Sequence, residues 1–158
     1  MQILLVTLEP PLTPDAIVTG NAVRMTQLEG ALSQAGHRIS QVWLDSQTKH
    51  PQAFQSRDEL CSIITRQQPE AILVSNWELL DLLPFELAQP VILDFVAPRP
   101  LELLFEHPER VSEELRLLQS NLSKCDLLLA SNEAQRDLLR FTLLGAGFDL
   151  RGCEPVLV

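Results

Sequence analysis

Residues 1–44 read MQILLVTLEPPLTPDAIVTGNAVRMTQLEGALSQAGHRISQVWL and predict a strand, a helix and a second strand in succession. The run Ile3–Val6 is apolar throughout, which is typical of a strand buried on both faces of a parallel sheet. A helix is predicted from about Asn21 to Ala35, because apolar side chains recur at i, i+3, i+4 and i+7 from Leu28 onward. Gly36 then provides the left-handed residue that ends many helices, ahead of a strand at Ile39–Leu44.

Four further apolar segments continue this pattern along the chain and bring the predicted strands to six. Segments of this kind suit strands that are buried on both faces of a sheet. They are Ala71–Val74, Val91–Phe95, Leu127–Ala130 and Pro155–Val158.

The segments between the strands have helical apolar spacing and helix start signals. Ser56 and Glu59 form a Ser-x-x-Glu capping box, and Ser75 and Glu78 form a second one. The predicted buried helix faces are Leu60, Ile63 and Ile64, then Val111, Leu115, Leu118 and Leu122, and finally Leu138, Phe141 and Gly145. This alternation predicts parallel strands joined by right-handed crossovers, that is, a doubly wound, mostly parallel α/β domain with three layers.

Length and composition predict one domain over residues 1–158. The chain is 46% hydrophobic and has a formal net charge of −9, from 12 basic and 21 acidic side chains. Because no cluster of Lys and Arg offsets this acidity, we expect no nucleic-acid partner. No apolar run reaches the ~18 residues of a membrane-spanning helix and the start lacks a secretory signal, so we expect a cytoplasmic protein. The cysteines have neither metal nor disulfide spacing, which predicts buried, unreactive thiols at Cys61, Cys125 and Cys153.

Doubly wound sheets bind ligands beyond the carboxyl ends of their strands, where the strand order reverses. The predicted functional region is therefore the four loops that follow Val6, Val74, Phe95 and Ala130. The first loop, Thr7 to Gly20, is long and Pro-rich and lacks the G-x-G-x-x-G turn of a dinucleotide site. A bound NAD or FAD is therefore not expected.

Gly20 and Arg24 are the candidate binding residues at the end of the first loop. Gly20 allows a ligand to approach the backbone closely, and Arg24, one turn into the helix, can form a two-point hydrogen bond with an anion. The alternative is that Gly20 relieves a turn and that Arg24 pairs with a surface carboxylate.

Asp94 is the candidate catalytic and binding residue of the third loop, because an unpaired carboxylate is costly to bury at the end of an apolar strand. It either points into the cleft or pairs with a cation such as Arg24 or Arg99. In the cleft, Asp94 would be a general base, a nucleophile or an acceptor for a sugar hydroxyl, and a structural cap is the alternative. Glu102 is the next candidate binding residue, with a solvated glutamate in the first turn of a helix as its alternative.

The fourth loop contributes Ser131 and Gln135 as candidate binding residues. The alternative requires no ligand, since Ser131 or Asn132 can cap the last helix and Gln135 can close a capping box. Ser75-Asn76-Trp77 ends an earlier strand in the same way, and Trp77 is either a core residue or a stacking surface for a sugar.

Histidines provide no further candidate site. The three are far apart and lack a partner at metal or triad spacing: His37, His50 and His107. No G-x-S-x-G nucleophile elbow occurs either, so neither a metal site nor a catalytic triad is expected.

Several segments at the predicted strand ends match one family pattern in the right order. The first is Gly20-Asn21-Ala22-Val23-Arg24, followed by Gln27-Leu28, Ala31-Leu32 and Gly36-His37-Arg38-Ile39. The later ones are Asp94, Pro98, Leu101 and Glu102, and then Cys125-Asp126, Ala130-Ser131 and Gln135-Arg136. Together they resemble the patterns "G…R…eLa.aLa..GHeV", "D…P..LE" and "aD.vlvaS..Qr" of bacterial group 1 retaining glycosyltransferases of the GT-B class. The resemblance extends over essentially the whole chain.

This resemblance implies a Rossmann-like, acceptor-side domain of a two-domain enzyme whose donor-binding domain is absent from residues 1–158. Such an enzyme transfers a sugar from a nucleotide-sugar donor to an acceptor hydroxyl and requires no metal or other cofactor. The resemblance also implies that Arg24 or the helix start at Gly20 stabilises the leaving diphosphate and that Asp94 orients the acceptor. Thr19-Gly20-Asn21 departs from the family, which usually has a Gly-Gly pair there.

The implied partners follow from the same resemblance. The isolated domain is expected to be inactive, and its exposed domain interface would allow a homodimer or peripheral contact with a membrane. The alternative function is a stand-alone, non-catalytic binding or regulatory module of the same fold. A receiver-like signalling domain fits less well, because Thr7-Leu8-Glu9 follows the first strand where receivers have an acidic pair.

Overall fold

The computed structural model describes residues 1–13, 18–45, 47, 50–96, 99–152 and 154–158. These residues form one sheet of seven strands: β1 (Gln2–Thr7), β2 (Arg38–Leu44), β3 (Ala53–Phe54), β4 (Ala71–Val74), β5 (Val91–Phe95), β6 (Leu127–Ala130) and β7 (Val156–Leu157). All neighbouring strands are parallel, in the order β3-β2-β1-β4-β5-β6-β7. This order confirms the doubly wound α/β prediction and is consistent with a Rossmann-like fold.

Helices connect the strands and pack on both faces of the sheet. The described α-helices are α1 (Gly20–Gln34), α2 (Arg57–Gln67), α3 (Arg99–Glu106), α4 (Val111–Leu122) and α5 (Glu133–Gly145). Two 3-10 helices lie between them, at Trp77–Leu82 and Pro108–Arg110. None of these helices, within the part of the chain that the structure describes, is long and apolar enough to cross a lipid bilayer.

The alternating side chains of the sheet divide the core into two clusters. On one face, α1 contributes Met25, which packs against residues of β1 and β4 such as Leu5 and Leu73. On the other face, α2, the 3-10 helix Trp77–Leu82, α4 and α5 bury their apolar residues in a larger cluster. The sheet is therefore the middle layer of three, and Arg24 of α1 lies on the first face.

The strand order reverses between β1 and β4, because the chain moves from β1 to β2 on one side and later crosses over to β4 on the other. Their carboxyl ends carry Thr7 and Ser75, which are 1% and 0% exposed. In folds of this class, the crevice at such a reversal is where ligands bind.

The start and end of two helices agree with the sequence signals. Ser56 caps α2 by accepting a hydrogen bond from the Glu59 amide at 3.3 Å, and the Glu59 carboxylate accepts one from the Gln55 amide at 2.6 Å. α1 ends at Gln34, one residue before the predicted end, and Gly36 follows the capping residue Ala35 with φ +86°. Gly36 is therefore in the left-handed region that glycine adopts without steric cost.

The second predicted capping box, at Ser75 and Glu78, is wrong. Asn76 is the residue that precedes the helix, its side chain makes no capping hydrogen bond, and the segment forms a 3-10 helix. The Ser75 hydroxyl donates instead to Oδ1 of Asn76 at 2.8 Å. The polar side chains after β4 thus bond to each other at the carboxyl edge of the sheet and do not cap an α-helix.

Two predicted helix faces also differ from the structure. In α5, Leu139 and Leu143 are buried, whereas Phe141 is 75% exposed. The helix carries apolar residues on more than one side, so spacing alone does not define its buried stripe. In α4, Leu118 and Leu122 are buried as predicted, but Leu115 is 39% exposed.

The prediction of six strands missed β3, which has only two residues and pairs with the end of β2. Cys61 and Cys125 are free thiols and are partly buried, and Cys153 lies outside the described residues. Burial raises the pKa of the Cys125 thiol to about 12, which agrees with the prediction of an unreactive side chain at this position.

Candidate functional site

An ion pair between Arg24 and Asp94 lies at the carboxyl edge of the sheet. Nε of Arg24 donates to Oδ2 of Asp94, Nη2 donates to Oδ1, and both distances are 2.6 Å. The Asp94 side chain is 0% exposed, and that of Arg24 is 29% exposed. The structure thus selects one of the alternatives that the sequence left open for Asp94, namely pairing with Arg24.

Strand pleating and helix packing bring these two residues together. Asp94 is the fourth residue of β5 and points to the face that carries α1, as does its neighbour Ile92 two positions earlier. Arg24 is in the second turn of α1, which packs across β1 and β4 on that face. A buried carboxylate requires a cation in such a place, because removing a charge from water costs several kcal/mol.

The pairing determines the charge of the site. The hydrogen bond from Arg24 to Asp94 raises the pKa of Arg24 above its ordinary value, although burial opposes this rise. Arg24 therefore stays protonated, and its positive charge is compensated by Asp94. The two-point hydrogen bond that the sequence suggested for an anionic ligand is used by Asp94, so an incoming diphosphate would meet a pair of zero net charge.

Arg24 keeps one unused nitrogen. Its Nη1 has no hydrogen-bond partner among the residues that the structure describes, and the side chain is partly open to solvent. Gly20, one turn earlier, is exposed, and a Cβ added there would meet no atom within 4 Å. The start of α1 therefore borders open space in which a ligand could reach the guanidinium.

A second polar contact joins α1 to the end of β4. Nδ2 of Asn21 donates to Oδ1 of Asn76 at 3.1 Å, and the same oxygen accepts from Ser75. Oδ1 of Asn21 is buried without a hydrogen-bond partner. Asn21 and Arg24 are three residues apart on α1, and they contact the ends of the neighbouring strands β4 and β5. We call the four residues of these two contacts the polar edge: Asn21, Arg24, Asn76 and Asp94.

The start of α1 is held by a third group of hydrogen bonds. Thr19 caps the helix by accepting from the Ala22 amide at 3.1 Å, and its hydroxyl donates to Glu9 at 2.5 Å. Gln41 of β2 donates to the Thr7 hydroxyl at 3.0 Å. The first loop is thus tied to β1 and β2, and one of the amides at the helix start is already satisfied.

The candidates of the fourth loop take the capping alternative. Asn132 is the capping residue of α5 and accepts from the Gln135 amide at 3.0 Å. The Gln135 side chain accepts from the Ser131 amide at 2.8 Å and donates to the Val96 carbonyl at 3.2 Å. Gln135 therefore closes a capping box and also fixes the loop after β5, close to Asp94.

The remaining candidates do not join the polar edge. Glu102 is exposed and pairs with Arg99 at 3.1 Å, and Arg99 also contacts Glu106 at the same distance. Trp77 is 5% exposed and belongs to the core, with its indole nitrogen buried and unpaired. Pro98, which forms part of the family resemblance, lies outside the described residues.

Of the candidates taken from the sequence, the structure brings together Arg24 and Asp94, with Gly20 beside them. Asn21 and Gln41 were missed as contributors to this region, because polar residues inside a helix and a strand carry no local signal of what they contact. Among the described residues, no group of three or more His, Cys, Asp or Glu side chains is arranged to hold a metal ion.

The chain was compared with known proteins to see whether this arrangement belongs to a recognised group. No protein-family model matches the chain, and no curated protein matches it significantly.

Proposed function

We propose that this domain is the acceptor-side half of a retaining GT-B glycosyltransferase, which transfers a sugar from a nucleotide-sugar donor to an acceptor hydroxyl. The polar edge at the reversal of strand order carries the proposal. It places a partly exposed guanidinium and two amides in the region where doubly wound sheets bind ligands. The resemblance of the segments around Gly20, Asp94 and Gln135 to group 1 enzymes supports the same assignment.

In this proposal, Arg24 contacts the acceptor. Its Nη1 donates a hydrogen bond to an acceptor hydroxyl, which suits a neutral sugar because Asp94 has already compensated the charge. Asp94 is a positioning residue, since both of its oxygens are bonded to Arg24 and its side chain has no exposed surface. The ion pair fixes the direction of the Nη1 hydrogen-bond donor before the acceptor binds, which lowers the entropic cost of binding.

The nucleotide-sugar donor would bind to a second domain that closes over the carboxyl edge of the sheet. The nucleotide sugar is a co-substrate, and no cofactor is part of the proposal. Charge that develops on the leaving diphosphate would be stabilised by basic groups and helix dipoles, as in other sites of this kind. The isolated domain then binds acceptor but does not catalyse transfer.

Reconstitution with a donor domain tests this function. The domain is fused to, or mixed with, a donor-domain chain encoded in the same genome, and release of nucleoside diphosphate from a panel of nucleotide sugars is measured. We expect turnover only when both parts are present. Turnover by the isolated domain would contradict the proposal, and acceptor binding without any turnover would favour the non-catalytic binding module.

The role of Asp94 is tested in the reconstituted enzyme with Asp94→Asn. This change weakens the hold on Arg24, so the KM for acceptor should rise about tenfold or more while the KM for the nucleotide sugar stays unchanged. Asp126→Asn is the matched control, because Asp126 bonds the Val91 amide at the opposite edge of the sheet. Equal effects of both changes on the two KM values would indicate a structural role only.

A further inference from the structure

Three hydrogen-bonding atoms of the polar edge have no partner among the residues that the structure describes. Two are donors: Nη1 of Arg24, and Nδ2 of Asn76, whose Oδ1 accepts from both Asn21 and Ser75. The third is an acceptor, Oδ1 of Asn21, which is buried. We call these three atoms the open groups. Buried polar atoms in folded proteins are nearly always hydrogen-bonded, so the Asn21 oxygen requires a donor from a ligand or a water.

The backbone holds the residues of the open groups on neighbouring elements. Asn21 and Arg24 are one turn apart on α1, where residues at i and i+3 have Cβ atoms about 5–6 Å apart. β4 and β5 are adjacent in the sheet, at a spacing of about 4.8 Å. Asn76 follows the end of β4, and Asp94, which holds Arg24, is near the end of β5. Neighbouring hydroxyls of one small molecule can bridge side chains at this spacing.

The mixture of donors and acceptor restricts the chemistry of a ligand. A carboxylate has no proton for Oδ1 of Asn21, and the charge of Arg24 is already compensated by Asp94. An ammonium group cannot accept from Nη1 of Arg24 or Nδ2 of Asn76. A carboxamide donates and accepts, but it has a single oxygen for two donors. Two neighbouring hydroxyls offer one oxygen to each donor and a proton to the Asn21 oxygen.

The contact between Asn21 and Asn76 has to open before a ligand reaches the buried oxygen. Oδ1 of Asn21 meets a ligand only if its amide turns away from Asn76. This turn breaks one 3.1 Å hydrogen bond between neutral groups, and Oδ1 of Asn76 keeps the bond from Ser75. Both asparagines are partly exposed, so the space into which the amide turns is next to solvent. Binding thus exchanges one neutral hydrogen bond for others and gives a buried acceptor the donor that it lacks.

We propose that the open groups bind a vicinal diol, so that the sugar acceptor of the polar edge carries two adjacent free hydroxyls. One hydroxyl accepts from Nη1 of Arg24. The other lies between the two amides, where it accepts from Nδ2 of Asn76 and donates to Oδ1 of Asn21. This inference rests on the proposed function, because it assigns the acceptor class of the same site. Asn21 and Asn76 are the specificity-determining residues, since a ligand with a single hydroxyl leaves them without a partner.

Two isomeric diols test the proposal without any need for catalysis. cis-1,2-Cyclohexanediol and cis-1,4-cyclohexanediol have the same ring and the same number of hydroxyls, but only the first has adjacent hydroxyls. NMR titration of the chain, followed at the asparagine side-chain amides and the Nε–H of Arg24, measures both dissociation constants. The 1,2-isomer should bind about fivefold more tightly, which corresponds to one additional hydrogen bond between neutral groups. Methyl glucoside, a sugar with adjacent hydroxyls, should compete with it.

Asn21→Ala and Asn76→Ala should each remove the preference for the 1,2-isomer, because each deletes one contact to the second hydroxyl. Gln27→Ala is the matched control, since Gln27 is an exposed amide on the same helix as Asn21. This variant should keep the fivefold preference. Alanine is a good helix former, so neither change on α1 should affect folding, and urea unfolding of each variant checks this.

Several outcomes would overturn the proposal. Equal affinities of the unaltered chain for the two isomers would do so and would leave a water as the donor to Asn21. A preference that survives both Asn21→Ala and Asn76→Ala would place the diol elsewhere on the surface. Tighter binding of acetamide than of 1,2-cyclohexanediol would assign the open groups to a carboxamide. If both variants remove the preference but the reconstituted enzyme fails to transfer sugar, the diol site stands and the transferase function is rejected.

Discussion

Arg24 and Asp94 are 70 positions apart in the chain and form a two-point ion pair across the boundary between α1 and β5. One partner is fully buried and the other is partly exposed. The two members are therefore not equivalent, since removing the cation leaves a buried carboxylate, whereas removing the carboxylate leaves a cation that can reach water.

We expect Arg24→Met to destabilise the domain more than Asp94→Asn does. Leaving a buried charge unpaired costs about 3–5 kcal/mol, whereas the loss of hydrogen bonds from a partly exposed arginine costs about 1–2 kcal/mol. Urea unfolding measures the loss of unfolding free energy in each variant. The double variant Arg24→Met/Asp94→Leu should recover most of the loss, and Arg99→Met, which removes a surface arginine, should leave the unfolding midpoint nearly unchanged. Similar costs for the two single changes would contradict this asymmetry.

Phosphate binding should increase when Asp94 is neutralised. In the natural protein the charge of Arg24 is compensated, so we expect inorganic phosphate to bind weakly at the polar edge. Asp94→Asn releases that charge and should strengthen phosphate binding by about tenfold, since a charged hydrogen bond contributes about 1.5–3 kcal/mol. NMR titration measures the change, and Arg24→Met/Asp94→Asn is the control that should remove it. Tight phosphate binding to the unaltered protein would show that Arg24 is available to anions.

Two glycines near the end of α1 should respond to alanine with opposite signs. Gly36 has φ +86°, where a Cβ is strained, so Gly36→Ala should destabilise the domain by about 1–2 kcal/mol. Gly30 lies inside α1, where an added Cβ meets nothing within 4 Å, so Gly30→Ala should stabilise it by about 1 kcal/mol. Thermal unfolding of both variants distinguishes these effects. A loss of stability in Gly30→Ala would indicate a contact on that side of α1.

Cys125 should resist alkylation until the protein unfolds. Its pKa is raised from 9.0 to about 12 by burial, so at pH 8 the thiolate fraction, and with it the alkylation rate, should be roughly a thousandfold lower in the native protein than in the unfolded one. Iodoacetamide labelling followed by mass spectrometry measures this in Cys61→Ser/Cys153→Ser, where Cys125 is the one remaining cysteine. Equal rates with and without denaturant would show that the thiol is accessible.

The same thiol predicts a change of stability with pH. A group whose pKa is higher in the folded state stabilises fully below its unfolded pKa and loses that contribution as pH rises through the folded value. Between pH 9 and about 12, the unfolding free energy of a protein that keeps Cys125 should therefore fall relative to that of Cys125→Ala. Parallel curves for the two proteins over this range would contradict the assigned cause.

The strongly patterned parts of the chain were predicted correctly from local information. Ile3 to Val6 is apolar at every position and forms the core of β1, and Ser56 with Glu59 starts α2 as its spacing indicates. The two-residue β3 was missed, because such a short strand has no period of its own. Ser75 and Glu78 have the spacing of a capping box, yet the chain after β4 turns into a 3-10 helix that the packing of Leu79 and Leu80 stabilises.

The candidate site was likewise predicted only in part from the sequence. Asp94 was singled out because an unpaired carboxylate is costly to bury in an apolar strand, and the alternatives were a position in the cleft or a pair with a cation such as Arg24 or Arg99. The choice between Arg24 and Arg99 depended on which face of β5 Asp94 occupies and on which helix covers that face. Arg99 turned out to pair with two glutamates of its own helix.

Sequence alone thus determined the class of fold, most strand positions and the terminator at Gly36, and it singled out Asp94, because each depends on neighbours a few residues away. Tertiary structure decided the partner of Asp94, the contact between Asn21 and Asn76, and the exposure of Phe141. These depend on which strands lie side by side and which helix covers them, and residues 55 or 70 positions apart meet only after the sheet has formed.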